Sequence, residues 1–417
     1  MSTHASALPT QTTSSTTTAP SRIVSIDIFR GLTMTVMIFV NEVSEMRGIP
    51  QWSRHEPAQV NAMTYVDMVF PFFLFIVGLS LPLAIRARLK KNPSIPALWL
   101  HILLRSLSLI VLGLILANAE GGSRALMHLN PSAWGLLALL GGILFLNVYS
   151  GLDKKSSLVQ GLKFAGLALL VGMYAIFRRE VHGADGVTHA AWLDFSYPEI
   201  LGIIGYTYFA VCLLYIPTRK WLWAPLAWFV AVIGFNCISA AKWIAFPDHL
   251  PWYQFPFING AFVALVFGGI VISNLFLGQH RWQNHRQKTL MAVVFGVLTL
   301  AAGWLAAPLG ISKIRATPTW VLVSVGAATL AFALLHYVCD VRKHSRWAAF
   351  AHPAGSNTLM TYLLPDLYFY IVTSTGFLFF ETHWSYGAVG AVKSAIFTAF
   401  ILALSALLTR WKVRMQL

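Results

Sequence analysis

Apolar runs of about 20 residues recur along this 417-residue chain, broken by short loops that hold most of its charge. A helix needs about 20 such residues to cross roughly 30 Å of hydrocarbon. Twelve segments meet or approach that length: 24–43, 65–85, 99–118, 133–150, 158–177, 198–216, 221–245, 257–277, 289–308, 319–339, 357–377 and 386–409. The pattern predicts an all-α, polytopic membrane helix bundle of about 10–12 transmembrane helices.

The loops orient the spans, because short cytoplasmic loops collect Lys and Arg. Counted from a cytoplasmic N-terminus, every inside loop is basic: Arg86, Arg88, Lys90 and Lys91 fill the first, and Arg342, Lys343 and Arg346 the last. Two of the outside loops hold no Lys or Arg at all. The count is therefore even, both termini face the cytoplasm, and the loop carrying His55 faces out.

Composition closes off other classes. Hydrophobic residues make up 57% of the chain and charged residues 11%, where a soluble domain is about one quarter charged. The net charge of +15 invites a nucleic-acid reading, but the basic residues sit between spans and no nucleic-acid motif accompanies them. Cys212, Cys237 and Cys339 all lie inside apolar runs with no metal-ligand spacing. Residues 1–21 are rich in Ser, Thr, Ala and Pro and read as a disordered tail. They lack a basic start and an apolar centre, so the first span is expected to be an uncleaved anchor. Residues 22–417 then form one transmembrane domain, with no internal repeat.

Ionisable groups inside spans are costly and point to function. Asp27 and Arg30 are three apart on the first span and share a helix face. They form either a structural ion pair or a handle for an anionic ligand, with Asp27 holding the Arg30 fork. Asn41 ends that span, about 21 Å further along at 1.5 Å per residue. Arg105 lies one or two turns inside the third span, able to snorkel or to meet a phosphate. Asp366 sits beside Pro365 deep in the eleventh span, suited to a proton relay or to an arginine partner. At the entrance of the second span, His55 and Asp67 are twelve residues apart. The pair either stabilises the chain at the interface, or works as a base, with a carboxylate on one imidazole nitrogen fixing the tautomer and leaving the other free. The buried Asp366 and twelve spans also suit a proton-coupled transporter or flippase of an envelope sugar, but no halved symmetry accompanies them.

The stretch "SIDIFRGLTMTVMIFVNE", His55 and "MTYVDMVFPFFLFIVGLS" together resemble the catalytic region of the heparan-α-glucosaminide N-acetyltransferase family and its bacterial relatives. "RSLSLIVLG" (Arg105–Gly113), "ISKIRATPTW" (Ile311–Trp320) and "PAGSNTLMTYLLP" (Pro353–Pro365) follow in order. The resemblance is strongest over residues 22–120. It implies a transmembrane acyltransferase that moves an acetyl group from cytoplasmic acetyl-CoA to an amino sugar or glycan on the far side. By resemblance, His55 falls on the family's essential histidine, Asn41 on its partner asparagine and Asp67 on the aspartate that opens the next span. Arg30, Arg105 and Lys313 fall on matching basic positions, and Asn357 on a matching asparagine, which makes them donor-binding residues together with Asp27. No metal is implied; a homodimer and a bacterial inner membrane fit the family. Two departures stand out: "EPAQVNAM" after His55 makes the run to Asp67 two residues longer than in eukaryotic members, and Ile203 and Ile204 stand where an Arg commonly sits. The first bears on the acceptor, the second on the donor contacts.

Overall fold

The computed structural model describes residues 23–149, 153, 155–183, 186–244, 259–277 and 284–415. The expected tail over residues 1–21 lies outside them. In chain order the helices are α1 (Val24–Ser44), α2 (Val66–Lys91), α3 (Ile95–Ala119), α4 (Arg124–Met127), α5 (Pro131–Leu146), α6 (Ser157–Ile176), α7 (Glu199–Thr218), α8 (Ala224–Ala240), α9 (Ala261–Leu277), α10 (His285–Leu305), α11 (Pro318–Leu335), α12 (His352–Ser356), α13 (Thr358–Thr375), α14 (Phe379–His383) and α15 (Gly387–Arg410). A π-helical turn, His336–Val341, continues α11.

Each of the twelve apolar runs falls on one of these helices. Eight helices among the described residues are long and apolar enough to cross a membrane: α1, α2, α3, α6, α7, α10, α11 with its π turn, and α15. Helices α5, α8 and α9 are apolar but have 16 or 17 residues, and α13 has 18. The protein is an all-α polytopic membrane bundle. A membrane helix satisfies every backbone group internally, which explains the near absence of other structure at this depth. The exception lies between spans: β1 (Arg179–His182) and β2 (Thr188–Ala191) form an antiparallel hairpin in the loop before α7. Asn118, at the end of α3, fastens that loop. Its amide donates to the Asp194 carbonyl at 3.0 Å, and its side-chain oxygen accepts from the Asp194 N–H at 2.6 Å.

The spans differ in what surrounds them. Helices α1, α2, α7 and α11 bury most of their length, whereas α6, α10 and α15 leave apolar faces open. On α6, Leu158, Phe164 and Val171 are exposed. A helix apolar on all sides that is only partly covered by protein is built to meet lipid. The centre holds Leu74, Phe75 and Leu79 of α2, Phe267 of α9, and Trp320, Val325 and Phe332 of α11, all fully buried.

Helices α2 and α9 meet closely. A Cβ added at Gly78 would stand 2.0 Å from the Val266 carbonyl oxygen, and one at Gly269 would stand 2.0 Å from that of Phe75. Glycine on both sides lets the backbones touch, the usual basis of close helix packing where lipid removes the hydrophobic drive. Ser273 adds a buried hydrogen bond to the Leu79 carbonyl at 2.8 Å. Gly78→Leu is expected to force the helices apart and lower the thermal midpoint of the detergent-solubilised protein by about 5 °C or more. An unchanged midpoint in a fluorescence melt would contradict this packing.

Candidate active site

The chemistry of the site begins in the loop before α2. Thr64 and Asp67 are three apart and bond around the start of α2 in the manner of a capping box. The Thr64 hydroxyl accepts from the Val66 N–H at 3.2 Å, and the Asp67 carboxylate accepts from the Thr64 N–H at 3.1 Å. Thr64 also donates its hydroxyl to the Arg54 carbonyl at 2.8 Å, drawing the preceding strand of loop against the helix start. This brings His55, the next residue, onto the other carboxylate oxygen: His55 Nδ1 lies 2.7 Å from Asp67 Oδ1. Asp67 is 1% exposed and His55 39%. A buried carboxylate therefore holds an accessible imidazole. From behind, Trp320 donates its indole N–H to the Asp67 carbonyl at 3.0 Å.

With Asp67 accepting, the proton belongs on Nδ1 and Nε2 keeps its lone pair. That is the arrangement of a general base or an acyl-accepting nucleophile. Lys313, from the loop before α11, completes the group. Its Nζ is 3.3 Å from His55 Nδ1 and 3.4 Å from Nε2. The ammonium therefore lies close to both ring nitrogens. Burial pushes the Lys313 ammonium below the ordinary lysine range, against the opposing pull of the Asp67 and Glu199 carboxylates. The same loop holds the unusual "EPAQVNAM" segment, through a hydrogen bond from the Arg315 guanidinium to the Asn61 side-chain oxygen.

A cavity of about 860 Å³ opens in the bundle between α1, α2, α3, α7 and α13. Ligand pockets usually measure about 300–1,000 Å³. One end is basic, with Arg30, Arg88, Lys91, His101 and Arg105 in its wall; the remainder is largely apolar, with Met34, Met37, Phe73 and Leu201. Arg30 is held by three partners: Asp27 Oδ1 at 3.3 Å, the Gly355 carbonyl at 3.4 Å and the Ser80 hydroxyl at 2.6 Å. The Arg105 guanidinium stacks 4.9 Å from the centre of the Tyr208 ring, a favourable cation–aromatic contact. His101 lines the same wall four residues before Arg105, and its Nε2 is buried without a hydrogen-bond partner.

The residues named from the sequence separate into groups. His55, Asp67 and Lys313 meet at one end of the bundle. Arg30, supported by Asp27, and Arg105 meet at the basic end of the cavity. Arg30, Met34, Met37 and Asn41 are spaced i, i+4, i+7 and i+11, so Asn41 continues the cavity-facing stripe of α1 by one turn, about 6 Å beyond Met37. Asn41 is exposed, and no hydrogen bond joins its amide to His55 or Asp67. Asn357 is 1% exposed and fastens the C-terminal segment: its amide donates to Val413 and Thr409, and its oxygen accepts from the Met415 N–H. It does not line the cavity. Ile204 does, leaving an apolar wall beside Tyr208. Asp366 lies one turn beyond Tyr362 on α13, also outside the cavity lining.

The sequence reading did not single out His101, Arg88 or Lys91 for the cavity. The i, i+4 spacing of His101 and Arg105 was a readable signal, since it puts both on one helix face. The Thr64–Asp67 capping box was another.

Comparison with known proteins bears on this region. Residues 22–121 match the sequence model of the family described as heparan-alpha-glucosaminide N-acetyltransferase, catalytic. Heparan-alpha-glucosaminide N-acetyltransferase of Homo sapiens is 33% identical over 122 residues, which is 29% of this chain and 17% of the human protein. Its Mus musculus counterpart is 32% identical over 120 residues, with the same coverage. The similarity thus spans about one sixth of those relatives' length. It takes in α1, α2, α3 and the loop carrying His55, and so includes Asp27, Arg30, Asn41, His55, Asp67, His101 and Arg105. Over the segment that builds the His55–Asp67 pair and half of the cavity, this membrane protein is similar to the catalytic part of an N-acetyltransferase.

Proposed function

We propose that the chain is a membrane-embedded acyltransferase that moves an acetyl group from cytoplasmic acetyl-CoA to an amino sugar or glycan on the opposite face. The observation that carries this reading is the buried Asp67 carboxylate holding the accessible His55 imidazole at 2.7 Å, beyond one end of a cavity whose other end is basic.

Each end suits one partner in the transfer. Arg30, Lys91, Arg88 and Arg105 offer the charge that the phosphates of CoA require, and Arg30 and Arg105 offer planar donor forks. The unpartnered Nε2 of His101 adds a polar atom that a phosphate oxygen would satisfy. The apolar middle accommodates the pantetheine arm. From Arg30 to Asn41 is eleven residues, about 16 Å of helix, a length on the scale of that arm. The acyl carbon then arrives near His55. His55 deprotonates the acceptor, or takes the acyl group and passes it on. Asp67 fixes the tautomer and stabilises the imidazolium. Asn41 donates to the developing oxyanion, and the Lys313 ammonium adds positive charge there. Asn357 fastens the C-terminal segment beside the donor site. By this reading the protein sits in a plasma membrane, a bacterial inner membrane, with both termini and the basic cavity end on the cytoplasmic side, and it can work as a homodimer.

The direct test is an assay of purified protein in detergent with acetyl-CoA and glucosamine, following free CoA thiol and acetylated sugar together. Release of both in stoichiometric amounts supports the reading. Uptake of sugar into proteoliposomes with no acetylated product would favour transport instead.

A further inference from the structure

Helix α7 begins in an unusual way. Glu199, its first residue, has φ +57°, a left-handed conformation that a side chain with a Cβ rarely adopts. A Ser, Asp or Asn in extended conformation ordinarily opens a helix at lower strain. Such strain persists where the surrounding structure over-determines a residue, and it clusters at functional sites. The Glu199 carboxylate is aimed inward: Oε2 accepts from the Leu201 N–H at 3.1 Å and from the Tyr362 hydroxyl at 3.0 Å. Tyr362 and Leu201 are both wall residues of the cavity. Tyr362 thus puts a hydroxyl in the cavity wall with a carboxyl group directly behind it.

The acyl transfer proposed above has an unfilled role. The acceptor nitrogen attacks the acyl carbon and gives its proton to His55. The C–S bond breaks, the electron pair goes to sulfur, and the thiolate needs a proton. We propose that Tyr362 is a further catalytic residue, protonating the leaving thiolate, and that Glu199 is the positioning residue that supplies Tyr362. This rests on the acyltransferase reading. In the productive state Glu199 carries the proton. Tyr362 turns its O–H to the sulfur, a new S–H bond forms, and the phenol oxygen takes the proton from Glu199 in the same step. One proton leaves the acceptor and one reaches the sulfur. Between turnovers the exposed His55 returns its proton to water and Glu199 regains one from water, which restores the starting state.

A structural tyrosine would matter equally for every donor; a proton donor matters only when the leaving thiol is basic. The test therefore compares acetyl-CoA, which leaves as an alkyl thiolate, with S-phenyl thioacetate, whose acidic thiol leaves without help. Glucosamine is the acceptor and thiol release the readout. Tyr362→Phe is expected to lower kcat with acetyl-CoA about a hundredfold and with S-phenyl thioacetate less than about threefold, with KM for acetyl-CoA nearly unchanged. Glu199→Gln, which keeps shape and removes the acid, is expected to show the same donor selectivity. Equal losses with both donors, or no loss with acetyl-CoA in either variant, would overturn the proposal while leaving the acyltransferase reading intact. A wild-type protein that releases no thiol from acetyl-CoA would overturn both.

Discussion

Asp67→Asn is expected to cut acyl transfer by about 10³–10⁴-fold while leaving the protein folded. The asparagine keeps the size of a side chain that is 1% exposed, so packing against Trp320 and the start of α2 survives. What changes is the partner of His55 Nδ1. A carboxylate accepts an N–H there and leaves Nε2 as the base. An amide can turn its NH₂ toward Nδ1, which selects the opposite tautomer and puts the proton on the reacting nitrogen. It also removes the negative charge that stabilises the imidazolium. Thr64, Glu56 and His55 all converge on this carboxylate, so a thermal melt should accompany the assay. A folded Asp67→Asn variant within about tenfold of wild-type turnover would show that Asp67 serves only as the cap of α2.

The second large effect lies at the other end of the cavity. Replacing Arg30 and Arg105 together by Gln is expected to lower kcat/KM for acetyl-CoA by about a thousandfold, almost all of it in KM. A hydrogen bond to a charged group contributes about 1.5–3 kcal/mol, or roughly tenfold to a hundredfold for each guanidinium. The two sit on different helices, α1 and α3, and are held by separate partners, Ser80 with Gly355 for one and the Tyr208 ring for the other. Their losses should therefore nearly add. S-phenyl thioacetate has no phosphates and should lose little in the same double variant. A parallel loss with that donor would mean that the arginines hold the bundle together and do not read the donor.

Most of the fold was written in the spacing of apolar runs, because a bilayer accepts few solutions. Twelve apolar runs correspond to twelve helices at the expected places. The β1–β2 hairpin escaped because "REVH" and "THAA" have no apolar alternation and bury nothing that a pattern could reveal. The candidate site divided along a similar line. His55 and Asp67 were legible as a polar pair because only twelve positions separate them at the entrance of a span, and the family resemblance supplied their role. Lys313 reaches His55 across 258 positions, and Tyr362 reaches Glu199 across 163; no local pattern encodes such pairings. Asn357 was named a donor contact by resemblance; in the structure its amide donates to Val413 and Thr409 and its oxygen accepts from the Met415 N–H. Hydrogen-bonding capacity is visible in a sequence, whereas the partner that uses it depends on how distant helices pack.

If acetyl leaves CoA and reaches an amine through His55, the transfer should follow that residue when purified wild-type and His55→Ala protein, each shown to be folded, are incubated with acetyl-labelled acetyl-CoA and glucosamine. Wild type should release thiol and yield N-acetylated sugar in equal amounts, and His55→Ala should yield neither above background. A folded His55→Ala variant that transfers acetyl at the wild-type rate would contradict the assignment of His55, and a wild type that transfers none would contradict the account as a whole.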